Sequence, residues 1–239
     1  MSLRTWAAWG VHLYTAIGAP LALIALVASG RGYFQLAFLC MTVATFIDST
    51  DGVLARRVGV KQVLPQIDGA RLDDIVDYLN FVVVPIVVAY QAELIPSTWW
   101  GLLVASAPLV ASGYGFSQAD AKIEAPREDG AQTNHYFTGF PSYWNIVVFY
   151  LYAFQSSQWF NVALLLIFSL MVFVPIRYLY PSRNTVARNL TYGLGVLWAL
   201  LMIVVLIQLP QPSQTLVYIS LFYPIYYVGL SFALHFRTA

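Results

Sequence analysis

Eight stretches of this chain are apolar over lengths that cross, or nearly cross, a lipid bilayer, and that pattern limits the fold before any motif is read. A helix needs about 20 predominantly apolar residues to span the hydrocarbon core. The stretches run roughly over 12–30, 33–51, 75–95, 99–116, 142–156, 160–178, 190–209 and 215–236, the fifth being short and rich in Tyr and Trp. Polar or Pro-containing breaks separate them, the longest at 52–74 and 117–141. Of the 239 residues, 59% are hydrophobic and 10% charged. Soluble domains carry about 25% charged residues, and a soluble chain this apolar would expose large aggregation-prone patches. The pattern predicts an all-α integral membrane protein, a bundle of about eight transmembrane helices in a single domain over 1–239. The first ten residues, MSLRTWAAWG, lack a signal-peptide cleavage pattern. They read as a short interfacial segment, with Trp6 and Trp9 near the headgroups and Arg4 snorkelling.

Orientation follows from the distribution of Lys and Arg. With the N-terminus in the cytoplasm, eleven of the cations fall inside and only Arg31 outside. Both termini and the acidic segment 52–74 are then expected on the cytoplasmic side. A net charge of +1 gives no reason to expect a nucleic-acid partner. The single cysteine, Cys40, cannot form an intrachain disulfide and reads as a small buried hydrophobe.

Charge is scarce everywhere except in one place. Of eight Asp residues, six lie between Asp48 and Asp77. Ionisable groups at membrane helix ends are costly, and their default reading is functional. Asp48 and Asp51 are spaced i,i+3 at the end of the second stretch, and Asp73 and Asp77 i,i+4 at the start of the third, so each pair shares a helix face. Two antiparallel helices joined on one side would bring the four carboxylates together. Like charges at that range repel, and a divalent cation or a pair of them relieves the repulsion. All-oxygen ligation suits Mg²⁺ or Mn²⁺. Gly52 and Gly69 let a ligand approach the backbone, Ala55 is small, and Arg56 carries a planar fork suited to phosphate. Together these residues describe a diphosphate–nucleotide site, and attack on phosphorus with a nucleotide leaving group.

The ordered set Asp48-x-x-Asp51-Gly52-x-x-Ala55-Arg56, followed by Gly69-x-x-x-Asp73-x-x-x-Asp77, resembles the signature of the CDP-alcohol phosphotransferase family. The gap of twelve residues over 57–68 is longer than the commoner family spacing and resembles the branch whose acceptor is choline. The eight stretches and the segments 139–145 and 174–183 resemble that branch as well. The resemblance implies that Asp48, Asp51 and Asp73 hold two metal ions bridging the diphosphate. It implies that Asp77 helps to hold metal and takes the acceptor proton. It also implies that Gly52, Ala55 and Gly69 line the cytidine pocket, and that Arg56 contacts phosphate. Asp68, just before Gly69, is a further nucleotide-binding candidate, while Asp74 points off the Asp73/Asp77 face. The implied substrates are CDP-diacylglycerol and choline, and the implied assembly is a homodimer in a bacterial inner membrane, surrounded by membrane lipids.

A quaternary ammonium has no hydrogen to donate and is usually held by aromatic rings. The acceptor-binding candidates are Tyr114, Tyr143, Trp144 and Tyr178, with Tyr136 beside them and Arg177 as a cation. An interfacial aromatic belt is the competing reading for each ring, and inside-positive topology for Arg177, Arg183 and Arg188. His135, with the mixed charges around it, reads as part of a solvated loop. Two alternatives remain. The same family could use serine, glycerol phosphate or inositol phosphate. A cation transporter could use the Asp cluster as an ion path, although transport sites tend to lie at the membrane midplane.

Overall fold

The computed structural model of the chain describes residues 2–118, 122–126, 133–179 and 187–238. Helical rods follow the apolar stretches. The first is α1 (Leu3–Ala16) running into α2 (Gly18–Gly30), and the second is α3 (Phe34–Val58). After a short α4 (Val60–Val63), the third joins α5 (Gly69–Tyr78), a π-helical turn (Leu79–Val83) and α6 (Val84–Gln91). Next come α7 (Trp99–Ser117), α8 (Trp144–Phe154), α9 (Gln158–Met171) and α10 (Arg188–Ile207), and then α11 (Gln214–Ser220) with α12 (Phe222–Thr238). Among the described residues four spans, Leu3–Gly30, Phe34–Val58, Arg188–Ile207 and Gln214–Phe236, are long and apolar enough to cross a membrane, and α8 and α9 are shorter apolar helices. The protein is an all-α membrane protein, as its hydropathy requires.

Several boundaries differ from the sequence expectation, each for a local reason. The first helix starts at Leu3, not His12, because the Ser2 side chain accepts the Thr5 N–H as an N-cap. Arg4 does not simply snorkel: its Nε donates to the Val58 carbonyl, 3.2 Å away, and ties α1 to the end of α3. The second helix runs two turns past Asp51, through the charged residues, and stops at Gly59 in the left-handed region (φ 71°). Arg56 and Arg57 occupy its last turn, where cations offset the helix dipole. The third helix starts at Gly69, six residues early, with the Asp68 carboxylate accepting the Arg71 N–H at 3.1 Å. The π turn comes just before Pro85, whose ring cannot donate to the preceding turn.

Hydropathy also did not foresee a small antiparallel sheet in the order β1-β2-β3. Strand β1 (Lys122–Pro126) pairs with β2 (Thr133–Thr138), which pairs with β3 (Arg177–Leu179). The sixth stretch was expected to stay helical to Tyr178, but α9 ends at Met171. Pro175 explains the change, since it biases Val174 away from helix and cannot donate to a continuing turn. The chain emerges as β3, where the Leu179 N–H is taken by Ser231 Oγ of α12.

The main core lies between α2, α3, α6 and α8. Phe38 meets Phe149 edge-on there, with ring centroids 5.2 Å apart, among buried Met41, Val84, Val88 and Val148. A second seam matters more for function. The α1–α2 junction packs on α5 and the π turn, where Asn80 Nδ2 donates to the Gly18 carbonyl at 3.0 Å. Only glycine fits at position 18, because a Cβ there would collide with Val76. Gly18→Ala is therefore expected to destabilise the detergent-solubilised protein by about 1–3 kcal/mol through overpacking. Gly10→Ala, inside α1 and meeting nothing within 4 Å, is expected to raise the unfolding midpoint slightly through helix propensity.

Candidate active site

The Asp48/Asp51 face of α3 and the Asp73/Asp77 face of α5 meet against α1, as the two spacings anticipate. Carboxylate oxygens of Asp48, Asp73 and Asp77 lie within 4.8 Å of one another. Mg²⁺ sits about 2.1 Å from its oxygen ligands, so opposite ligands of one ion lie about 4.2 Å apart, and the trio is already at that scale. The donor set is all carboxylate, which fits a hard divalent cation. Thr15, Gly18, Ala44, Ile47, Val76, Asn80 and Phe81 complete the wall of a pocket of about 10 Å³, room for one water-sized sphere.

Asp51 lines the same pocket but is held differently. It is 5% exposed, and Oδ2 accepts from Thr15 Oγ1 at 2.6 Å. A hydrogen bond to a charged group contributes about 1.5–3 kcal/mol, so this contact fixes both the Asp51 rotamer and the docking of α1. Outward from the carboxylates, Gly52 and Arg56 share a face of α3. The Arg56 guanidinium folds back, one Nη lying 3.3 Å from where a Gly52 Cβ would sit. Gly69 opens α5 beside His12 of α1. Ala55 packs with buried Ala8, Val11, Val60 and Leu64. Asp68 caps α5 and faces Arg71 at 4.0 Å on the exposed surface, outside the wall of the carboxylate pocket.

The acceptor-binding candidates are not brought to one place. Tyr143 and Tyr178 gather around Tyr227, with centroids 6.1 and 6.4 Å from it. The Tyr178 hydroxyl is buried with no hydrogen-bond partner among the described residues, and burial raises its pKa. Trp144 goes elsewhere: it is 0% exposed, its Nε1 donates to Ser112 Oγ at 2.7 Å, and its ring is packed by Phe140 and Phe168. That enclosure leaves no open face for a soluble cation and removes Trp144 from the set. Tyr114 is 58% exposed and leans on Phe173. Arg177 lies in β3, its N–H directed to His235 Nδ1 at 3.3 Å. Tyr136 is buried in β2, and Arg183 lies outside the described residues, as does the side chain of His135. Asn145 ties the start of α8 to Thr45, one turn before Asp48, with Nδ2 donating at 3.1 Å.

Sequence reasoning missed His12, Thr15, Gly18 and Asn80. Their signal was legible, since His12-x-x-Thr15-x-x-Gly18 is an i,i+3 stripe of polar and small residues on an otherwise apolar helix.

The profile of the CDP-alcohol phosphatidyltransferase family matches residues 11–170, which take in the whole carboxylate pocket. The chain belongs to this family of membrane enzymes. Among its relatives, a protein named phosphatidylcholine synthase from Legionella pneumophila is 37% identical over 234 residues, 95% of this chain and 88% of that protein. Proteins of the same name from Pseudomonas aeruginosa (32% over 225 residues, 93% and 90% of the two chains) and Borreliella burgdorferi (32% over 197 residues, 82% and 80%) are also similar.

The crowding of like charge gives the first test. In chelator, Asp73→Asn removes repulsion and is expected to raise the unfolding midpoint. Mn²⁺ at a hundred times its dissociation constant should stabilise the wild type by about 2.7 kcal/mol and the variant by much less. A thermal-shift titration in detergent reads both signs.

Proposed function

We propose that this protein is a phosphatidylcholine synthase, transferring the phosphatidyl group of CDP-diacylglycerol to choline and releasing CMP. The observation that carries the reading is the convergence of Asp48, Asp73 and Asp77 on one small pocket, on helices that also present Gly52, Ala55, Arg56 and Gly69. The name shared by relatives that align over most of the chain supports choline as the acceptor.

In this reading Asp48, Asp51, Asp73 and Asp77 hold Mn²⁺ or Mg²⁺, as a pair of ions. When bound, the metal supplies positive charge to the diphosphate and to the departing CMP. Arg56, whose guanidinium lies over Gly52, adds a further cation for the phosphates. Gly52, Ala55 and Gly69 form the small-residue face against which cytidine lies. The choline oxygen forms a bond to the phosphatidyl phosphorus, and the bond from that phosphorus to the bridging oxygen breaks. CMP leaves with the electron pair. The hydroxyl proton passes to the Asp77 carboxylate, which acts as general base. Tyr143, the partly exposed ring beside buried Tyr178 and Tyr227, offers the aromatic face on which the ammonium rests. Apolar faces between the helices take the acyl chains.

The protein acts as a single domain over 1–239. It sits in the bacterial inner membrane with both termini and the active site towards the cytoplasm, where eleven of its twelve cations fall in this topology. It pairs as a homodimer, as the family resemblance suggests. Nothing in the fold or the relatives favours an ion path across the bilayer.

Purified protein given CDP-diacylglycerol and Mn²⁺ is expected to release CMP with choline, and not with serine, glycerol phosphate or inositol phosphate. Asp77→Asn should lower that rate by at least about a hundredfold, the scale of a lost general base. Release with another acceptor would keep the transferase and sink the choline assignment.

A further inference from the structure

Among the described residues His12 is the one imidazole placed against the signature residues, and the motif does not include it. It sits on the inner face of α1, 7% exposed. Its Nε2 is buried and has no hydrogen-bond partner among the described residues. Burying such a group without a partner costs about 1–3 kcal/mol, so a buried polar atom of this kind asks what it is for. The surroundings answer in part. Cε1 of His12 lies 3.0 Å, and Nδ1 3.5 Å, from where a Gly69 Cβ would sit. The ring therefore occupies the space that the missing side chain of Gly69 leaves. Trp9 lies edge-on to the ring from the preceding turn, with centroids 6.5 Å apart. One turn further along the same face, Thr15 holds Asp51. Gly18, a turn beyond, receives Asn80.

These contacts fix a ladder. Helix α1 runs alongside α5, with His12 level with Gly69, Thr15 level with the carboxylates, and Gly18 level with Asn80. Buried Ala8 and Val11, which flank His12 on α1, pack with Ala55 of α3. His12 is thus on the level of Ala55 and Gly69, one turn outward from the carboxylates. Resting on the nucleotide-site reading above, we infer that His12 is a nucleotide-binding residue whose Nε2 forms a hydrogen bond with the cytidine portion of the CDP group. The carboxylate level handles phosphorus. The His12 level handles the part of the substrate that does not react, and it contributes to choosing a cytidine nucleotide over other nucleotides. The signature glycine then lets His12 approach α5, and the ring stands where a side chain at position 69 would otherwise be.

The test is equilibrium binding of CMP, with Mn²⁺, to the purified full-length protein in detergent, beside steady-state kinetics. His12→Leu is expected to weaken CMP binding about tenfold, the effect of one lost hydrogen bond in a buried site. It should raise the KM for CDP-diacylglycerol by a similar factor while leaving the KM for choline unchanged. His12→Gln, which keeps an amide group at the reach of Nε2, should recover most of the affinity. Unchanged CMP binding in a folded His12→Leu protein overturns the inference. So does equal loss in both variants, or failure of both to fold, because His12 is then a packing residue. If the wild type binds no CMP while still binding Mn²⁺, the nucleotide-site reading itself fails, and that result is distinct from the others.

Discussion

Carboxylates repel one another, and a fold that gathers several at one membrane helix junction must hold them there against that repulsion. In this protein the restraint comes from α1. Thr15 fixes the buried Asp51, Gly18 lets α2 seat closely on Val76, and Asn80 closes the seam by donating to the Gly18 carbonyl. Remove that helix and α3 and α5 would keep their charges but lose the surface that orders them. The pocket is small, and the carboxylate oxygens of Asp48, Asp73 and Asp77 within it lie within 4.8 Å of one another.

The π turn and the long α3 are parts of the same arrangement. Helix α3 continues two turns beyond Asp51, so that Gly52, Ala55 and Arg56 stand on one rigid element with the carboxylates. Helix α5 starts at its Asp68 cap, and this sets the level of Gly69 against His12. Beyond Asp77 the ladder widens at Leu79–Val83, which turns Asn80 towards α2 and leads into Pro85. Regular helix is retained where ligands are presented. Irregular helix comes directly after it, where a side chain must reach a neighbouring backbone.

Much of this was legible in the sequence. Apolar runs separated by polar breaks give the rods, and the i,i+3 and i,i+4 spacings of Asp48/Asp51 and Asp73/Asp77 give two faces that have to meet. Hydropathy could not report helix that runs on through charge, so the extents of α3 and α5 were set too short. Nor could it report the sheet. Strand β3 follows a proline at the end of an apolar run, and its partner β2 lies far back in a polar connection. The acceptor side was least legible because Tyr and Trp serve both as interface anchors and as ligand surfaces. Trp144 shows how the ambiguity resolves: its indole N–H finds Ser112 inside the bundle, and its rings are enclosed by Phe140 and Phe168. His12 and Thr15 were overlooked because each, taken singly on an apolar helix, reads as a satisfied core group, and only their i,i+3 spacing with Gly18 marks a shared face.

The account stands on the carboxylates of α3 and α5 acting together as a metal site. Manganese anomalous scattering from crystals of the full-length protein grown with Mn²⁺ and CMP tests this most directly. The account predicts anomalous density enclosed by Asp48, Asp73 and Asp77, with Asp51 beside it. Density confined to other positions, or none there under conditions that support turnover, would contradict it.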